Sequence, residues 1–190
     1  MGKKNAKLRI IDVTKILLAE KAMDQISVRE IAIAAKVNTA AINYYFSTKE
    51  LLFSEALDQL VIEGQDEWLE KNIDPLHPDK KDLLNYLEFL HTSCIENKGF
   101  AKTRILGMLN AEDINPANLK VYETIYRLAK DLRPKQDDRL LRIRVSIAFS
   151  SVISFSLSTV EIEFFAGFSP TKKNALRQYI STLITLLFQD

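Results

Sequence analysis

The stretch from Ser27 to Leu52, SVREIAIAAKVNTAAINYYFSTKELL, constrains the fold most, because it carries three helix starts in 26 residues. Ser27, with Glu30 three places on, has the form of a capping box, in which a hydroxyl and a carboxylate serve free backbone N–H groups at a helix N-terminus. Asn38 is a second N-cap, just after a short turn at Lys36 and Val37. Ser47 with Glu50 repeats the box ahead of an apolar run. The first two caps predict a helix of about two turns, a tight turn, and another helix of about two turns. Ile31, Ala34, Ala35, Val37, Ile42 and Phe46 supply the apolar contacts that would fix the crossing. This outlines a helix-turn-helix over residues 27–46, an arrangement whose second helix can enter the DNA major groove.

The second helix, Thr39 to Tyr45, is unusual for a purely structural one. Ile42 and Phe46 lie four apart and anchor inward, which leaves Thr39, Ala40, Asn43 and Tyr44 outward. Small and hydrogen-bonding side chains there can reach base edges or phosphates. The same pattern also suits a solvated amphipathic helix in any small helical domain, and the helix pair alone does not separate the two.

Charge adds a modest signal. The net charge is only +1, but residues 1–50 hold nine Lys or Arg against five Asp or Glu, and the remainder holds 17 against 20. A basic N-terminal segment on an acidic body suits a protein that meets phosphate at one end. Lys3, Lys4 and Lys7 form a short basic arm, either a solvated end or a further phosphate contact.

In order and spacing this region resembles the DNA-binding domain of the TetR family of bacterial repressors. Members run through a T-V-R-D-I-A-like helix, A-G-V-S, a recognition helix ending near L-Y-Y-H-F, and then x-x-K-x-x-L. The matching residues here are Val28, Arg29, Glu30, Ile31, Ala32, Ala35, Val37, Asn38, Ile42, Tyr44, Phe46, Lys49, Glu50 and Leu52. The resemblance covers about the first 64 residues; the rest is similar only in length and helical character. It implies that the DNA is met by Ser27, Val28, Arg29, Lys36, Asn38, Thr39, Ala40, Asn43, Tyr44, Tyr45 and Lys49, with Lys49 on a phosphate. Two departures stand out. Lys36 replaces the turn Gly, at a cost of roughly 1–2 kcal/mol if the turn is left-handed there. Asn43-Tyr44-Tyr45 replaces the usual Tyr-Tyr-His, so neither the phosphate contact of the first Tyr nor a relative's operator sequence carries over.

Elsewhere the periodicity is helical throughout. It predicts an all-α chain of about nine helices: a helix-turn-helix domain over 4–64 and a helical body over 65–190. A first helix is expected from Leu8 to Ala22, and one from Thr48 to about Lys71 that connects the two parts. After the break at DPLHPD come helices over about Lys80–Asn97, Phe100–Asn110, Pro116–Leu132 and Asp137–Ala166, and a last one from the Ser169-Pro170 cap to about Phe188. The last two look too apolar to serve one subunit. Leu176, Tyr179, Ile180, Leu183, Ile184 and Leu187 follow helical spacing on the final helix, and Ser150, Ser154 and Ser158 continue a small-residue stripe from Ser146 on the one before. A buried core helix explains this pattern; so does a two-fold homodimer through a four-helix bundle, which resembles the family's assembly.

The same resemblance implies a small-molecule effector, for which Trp68, Tyr86, His91, Cys94, Arg104, Met108, Tyr122, Tyr126 and Phe149 are pocket candidates, each equally at home in a plain core. No cofactor or metal is expected. Glu88 and His91 form one Glu-x-x-His, but a di-iron bundle needs a second such pair and two further carboxylates. Cys94, the sole cysteine, excludes an intramolecular disulfide, and with His91 three residues before it reads as a structural thiol more readily than as a nucleophile. The start MGKKNAKLRI does not read as a secretory leader, and Val145–Val160, broken by serines, falls short of a membrane span. The expectation is a cytoplasmic homodimeric regulator on a palindromic operator, a repressor as the resemblance implies; a helical protein-interaction module or a helical enzyme are the rivals.

Overall fold

The computed structural model describes residues 3–21, 23–74, 78–97, 101 and 114–188. Nine α-helices and no strand occur among them: α1 Lys3–Glu20, α2 Val28–Ala34, α3 Thr39–Tyr45, α4 Lys49–Asn72, α5 Lys80–Glu96, α6 Pro116–Leu132, α7 Asp138–Leu157, α8 Thr159–Ala166 and α9 Lys173–Phe188. The chain divides into two compact units, Met1–Gly64 and Gln65–Asp190, with the boundary inside α4. The helix expected over Phe100–Asn110 lies outside the described residues.

The first unit is built by local signals around a small apolar core. Ile10, Ile11, Ile26, Ile31, Ile42, Phe46 and Leu52 are buried together, so α1 and the start of α4 clamp the α2–α3 pair. Ala34 faces solvent rather than that core. Helix α1 begins earlier than periodicity suggests. The expected basic arm is its first turns, and Lys7 is tied down by Glu55 at 2.8 Å with its ammonium 5.3 Å above the Phe46 ring.

The second unit packs α5, α6, α7 and α9 around one core. Helix α5 opens on a complete capping box between Asp79 and Asp82. It buries Leu83, Tyr86, Leu87, Leu90 and His91 on one stripe. Asn115 and Pro116 start α6 as their residue types require, with the Asn115 side chain accepting from the Asn118 N–H at 2.9 Å. Helix α7, at 20 residues with mean hydropathy 1.5, is long and apolar enough to cross a membrane by length and composition alone, a test that the core helix of a soluble protein also passes. Here it lines the core with Leu141, Val145, Ala148, Phe149, Val152 and Phe155.

Two expectations change. The predicted single helix over Asp137–Ala166 is two helices that meet at Ser158, where the backbone leaves helical geometry at φ −97° and ψ 42°. The Ser156 hydroxyl, bonded back to the Val152 carbonyl at 2.7 Å, weakens the ladder just before the break. Gly167, left-handed at φ 71°, ends α8. The last helix starts at Lys173, after a turn in which the Lys172 N–H donates to the Ser169 carbonyl at 3.1 Å, and not at the Ser169-Pro170 pair.

Candidate nucleic-acid interface

The geometry of the first unit comes from its caps. The Ser27 hydroxyl accepts from the Glu30 N–H at 3.1 Å and starts α2. Only that half of the expected box forms, because the Glu30 carboxylate turns to Lys21, whose ammonium also holds it below the usual carboxylate range. Asn38 Oδ1 accepts from the Ala41 N–H at 2.8 Å and starts α3. The third cap sits one residue later than expected, since Thr48 and not Ser47 accepts from the Leu51 N–H at 3.1 Å.

Between α2 and α3 the chain makes a Schellman turn. The Lys36 N–H donates to the Ile33 carbonyl at 3.1 Å and the Val37 N–H to the Ala32 carbonyl at 2.9 Å. That turn needs a left-handed residue, and Lys36 supplies it at φ 54°, the sole positive φ outside glycine among the described residues. The Arg9 Nε–H reaches the neighbouring Ala35 carbonyl at 3.4 Å and ties α1 to the turn.

Held this way, α3 buries Ile42 and presents Thr39, Ala40, Asn43 and Tyr44 to solvent, with Tyr44 71% exposed. Tyr45 is half-buried and meets the Tyr44 ring edge-on at 5.1 Å. Ser27, Arg29, Lys36 and Asn38 are exposed around the same helix pair, and Val28 is half-buried. Lys49 lies in the first turn of α4 with its ammonium 5.0 Å above the Phe53 ring, which orients it at low conformational cost. The first unit thus gathers an outward helix of small and hydrogen-bonding groups, flanked by cations, on a rigid support.

Of the pocket candidates, Tyr86 and Phe149 lie in the second unit's core and Trp68, Tyr122 and Tyr126 pack against it. Trp68 stacks on Phe89 at 4.9 Å and touches Tyr86 at 5.7 Å, and the Tyr86 hydroxyl donates to Gln65 at 2.6 Å. Tyr122 meets Phe149 at 4.6 Å. Tyr126 turns outward, donating to Asp138 with Arg142 over its ring. His91 is buried against Phe155 at 5.4 Å, and Cys94 is half-buried. Arg104 and Met108 lie outside the described residues.

The expected interface residues also separate. Leu176, Ile180, Leu183 and Ile184 belong to the unit's own core, so they are not available to a partner; Tyr179 and Leu187 are half-buried. Ser150 and Ser154 are exposed and Ser158 lies at the break. What α7 does expose is Leu140, Ile143, Ile147 and Leu157, at 41% to 49%, and α8 exposes Val160, Phe164 and Phe165. With Ser150 and Ser154, the α7 residues recur every three and four positions, the spacing of a helix–helix seam. That spacing was available in the sequence but hidden by the apolar residues on the other faces.

Residues 10–56 match the family model described as bacterial regulatory proteins, tetR family. No curated protein sequence matches the chain. Among solved structures, a tetR-family transcriptional regulator from Streptomyces coelicolor is 18% identical with a TM-score of 0.60, over 98% of this chain and 83% of that one. A TetR transcriptional regulator from Rhodococcus sp. RHA1 has the same identity and TM-score, over 98% and 100%. Thermus thermophilus FadR, a TetR-family transcriptional repressor in complex with lauroyl-CoA, is 19% identical with a TM-score of 0.61, over 95% and 92%. At these identities the likeness is one of fold.

Proposed function

We propose that the chain, whose residues 10–56 match the model of the tetR family of bacterial regulatory proteins, is a sequence-specific DNA-binding transcriptional regulator of the cytoplasm, a repressor that a small-molecule effector releases from a palindromic operator. The observation that carries this reading is α3, whose Thr39, Ala40, Asn43 and Tyr44 face outward from a capped and turn-locked helix pair. Lys36, Arg29 and Lys49 supply positive charge beside it. In this reading the cations set affinity and register on the phosphates, while Thr39 and Tyr44 read base edges.

The regulator acts as a homodimer. The exposed seam of α7 supports this, because Leu140, Ile143, Ile147 and Leu157 are 41% to 49% exposed and the small Ser150 and Ser154 allow a second helix to approach closely. Two half-sites one DNA turn apart then require readers about 34–36 Å apart. An effector can release the DNA only by favouring a state in which that spacing is lost. A fold shared with a repressor crystallised with lauroyl-CoA supports a ligand in the second unit, of whatever chemistry.

Selection of bound fragments from random duplex DNA tests the reading. An inverted repeat should be enriched, and its complex should weaken steeply with salt. Absence of any enriched sequence would overturn it.

A further inference from the structure

Three buried polar atoms on α5 lack a hydrogen-bond partner: both ring nitrogens of His91 and Oε1 of Glu88. The two residues are three apart and therefore neighbours on the helix surface. Glu88 has a counter-charge, for Arg177 Nε lies 3.2 Å from that oxygen, though without hydrogen-bond alignment. His91 has nothing comparable. It is 1% exposed, and burial lowers its pKa to about 4, so the ring is neutral near pH 7 and offers one N–H donor and one acceptor nitrogen. A leucine or phenylalanine would fill this space without stranding either group. The surroundings are aromatic. Phe155 lies 5.4 Å from the imidazole, stacks on Tyr179 at 3.6 Å and meets Phe168 at 6.0 Å. Tyr179 and Phe168 are half-buried, so the aromatic cluster that begins at His91 includes rings that are partly exposed.

We propose that His91 is the hydrogen-bonding anchor of the effector site, and that the effector is an uncharged, hydroxyl-bearing molecule with an aromatic body. This rests on the ligand-responsive reading above. A hydroxyl both donates and accepts, so it meets whichever nitrogen faces it in either tautomer. The body of the ligand lies against the edge of the Phe155–Tyr179 stack, beside Phe168. A carboxylate head is disfavoured, since it would leave water to meet a neutral ring beside Glu88.

The test uses the full chain with 15N-labelled histidine and three probes: 4-ethylphenol, its methyl ether 4-ethylanisole, and 4-ethylbenzoate. The proposal expects 4-ethylphenol to move the His91 nitrogen resonances and to bind about tenfold tighter than either of the others, the scale of one hydrogen bond. His91→Leu should erase that preference while melting at the same or a higher temperature. His91→Gln, which keeps a donor and an acceptor, should retain part of it. Absence of 4-ethylphenol binding, unmoved His91 resonances, equal or tighter binding of the ether or the benzoate, or a His91→Leu variant that melts well below the parent would each overturn the proposal. No DNA is present in these measurements, so a chain that bound no duplex would sink the regulator reading and leave this result standing.

Discussion

The two units treat their polar groups differently. Around α2 and α3, the helix-end N–H groups meet Ser27, Asn38 and Thr48, and the turn closes on its own carbonyls. In the second unit, Gln65 Nε2 and both nitrogens of His91 are buried without a hydrogen bond, although Gln65 Oε1 is well served by Tyr86. A DNA reader gains from a rigid frame that holds a few exposed side chains in place. A ligand-responsive body gains from buried groups that a ligand can complete, at some cost in stability when it is absent.

The largest expected effect probes the cores. Ile31→Ala in the first unit and Ile180→Ala in the second, both at fully buried positions, should each cost about 2–5 kcal/mol. Amide exchange should place the first loss in α1–α3 and the second in α5, α7 and α9. A uniform loss across both units for either variant would break the comparison.

Acid should separate the units next. His91 has its pKa lowered by burial from 6.5 to about 4. The unfolded chain therefore takes up the proton first, and stability falls as pH drops from about 6.5 toward 4, by about 3 kcal/mol in all. The first unit contains no histidine. Amides of α5 and α7 should lose protection over this window while those of α2 and α3 hold, and His91→Leu should remove the difference. An unchanged pH profile in that variant would show that another group is responsible.

The caps come third. Ser27→Ala and Asn38→Ala should each cost about 1 kcal/mol in thermal denaturation, because each leaves a helix-end N–H without its acceptor. The smallest effect is at Lys36. Relief of the left-handed strain outweighs the greater unfolded-state freedom of glycine, so Lys36→Gly should gain about 0.5 kcal/mol in the melt. A loss would mean that the Lys36 side chain contributes contacts beyond its turn.

The same contrast explains what was legible in the sequence. Ser27, Asn38 and Ile42 act within a few residues of themselves, so spacing alone placed the helices; the strained turn was expected only through the resemblance, in which Lys36 stands where a turn Gly is usual. The Lys21–Glu30 pair that halves the expected box joins α1 to α2 and has no local signature. In the second unit the types of the helices were legible, but their facing was not. Leu176, Ile180, Leu183 and Ile184 look identical in sequence whether they meet α5 and α7 of their own chain or a partner. The break at Ser158 was obscured because apolar residues continue on both sides of it. Gln65 gave no sequence signal, since its burial depends on Tyr86, 21 residues away.

The central claim, that α3 reads sequence while its cations only position it, is tested most directly by salt titration of Thr39→Ala and Lys49→Ala on selected and scrambled duplexes. Thr39→Ala should lose about 1–3 kcal/mol on the selected sequence and little on the scrambled one. Lys49→Ala should weaken both alike and flatten the salt dependence by roughly one unit per subunit. The opposite outcome, with Thr39→Ala weakening both duplexes equally and Lys49→Ala relaxing specificity, would contradict the account.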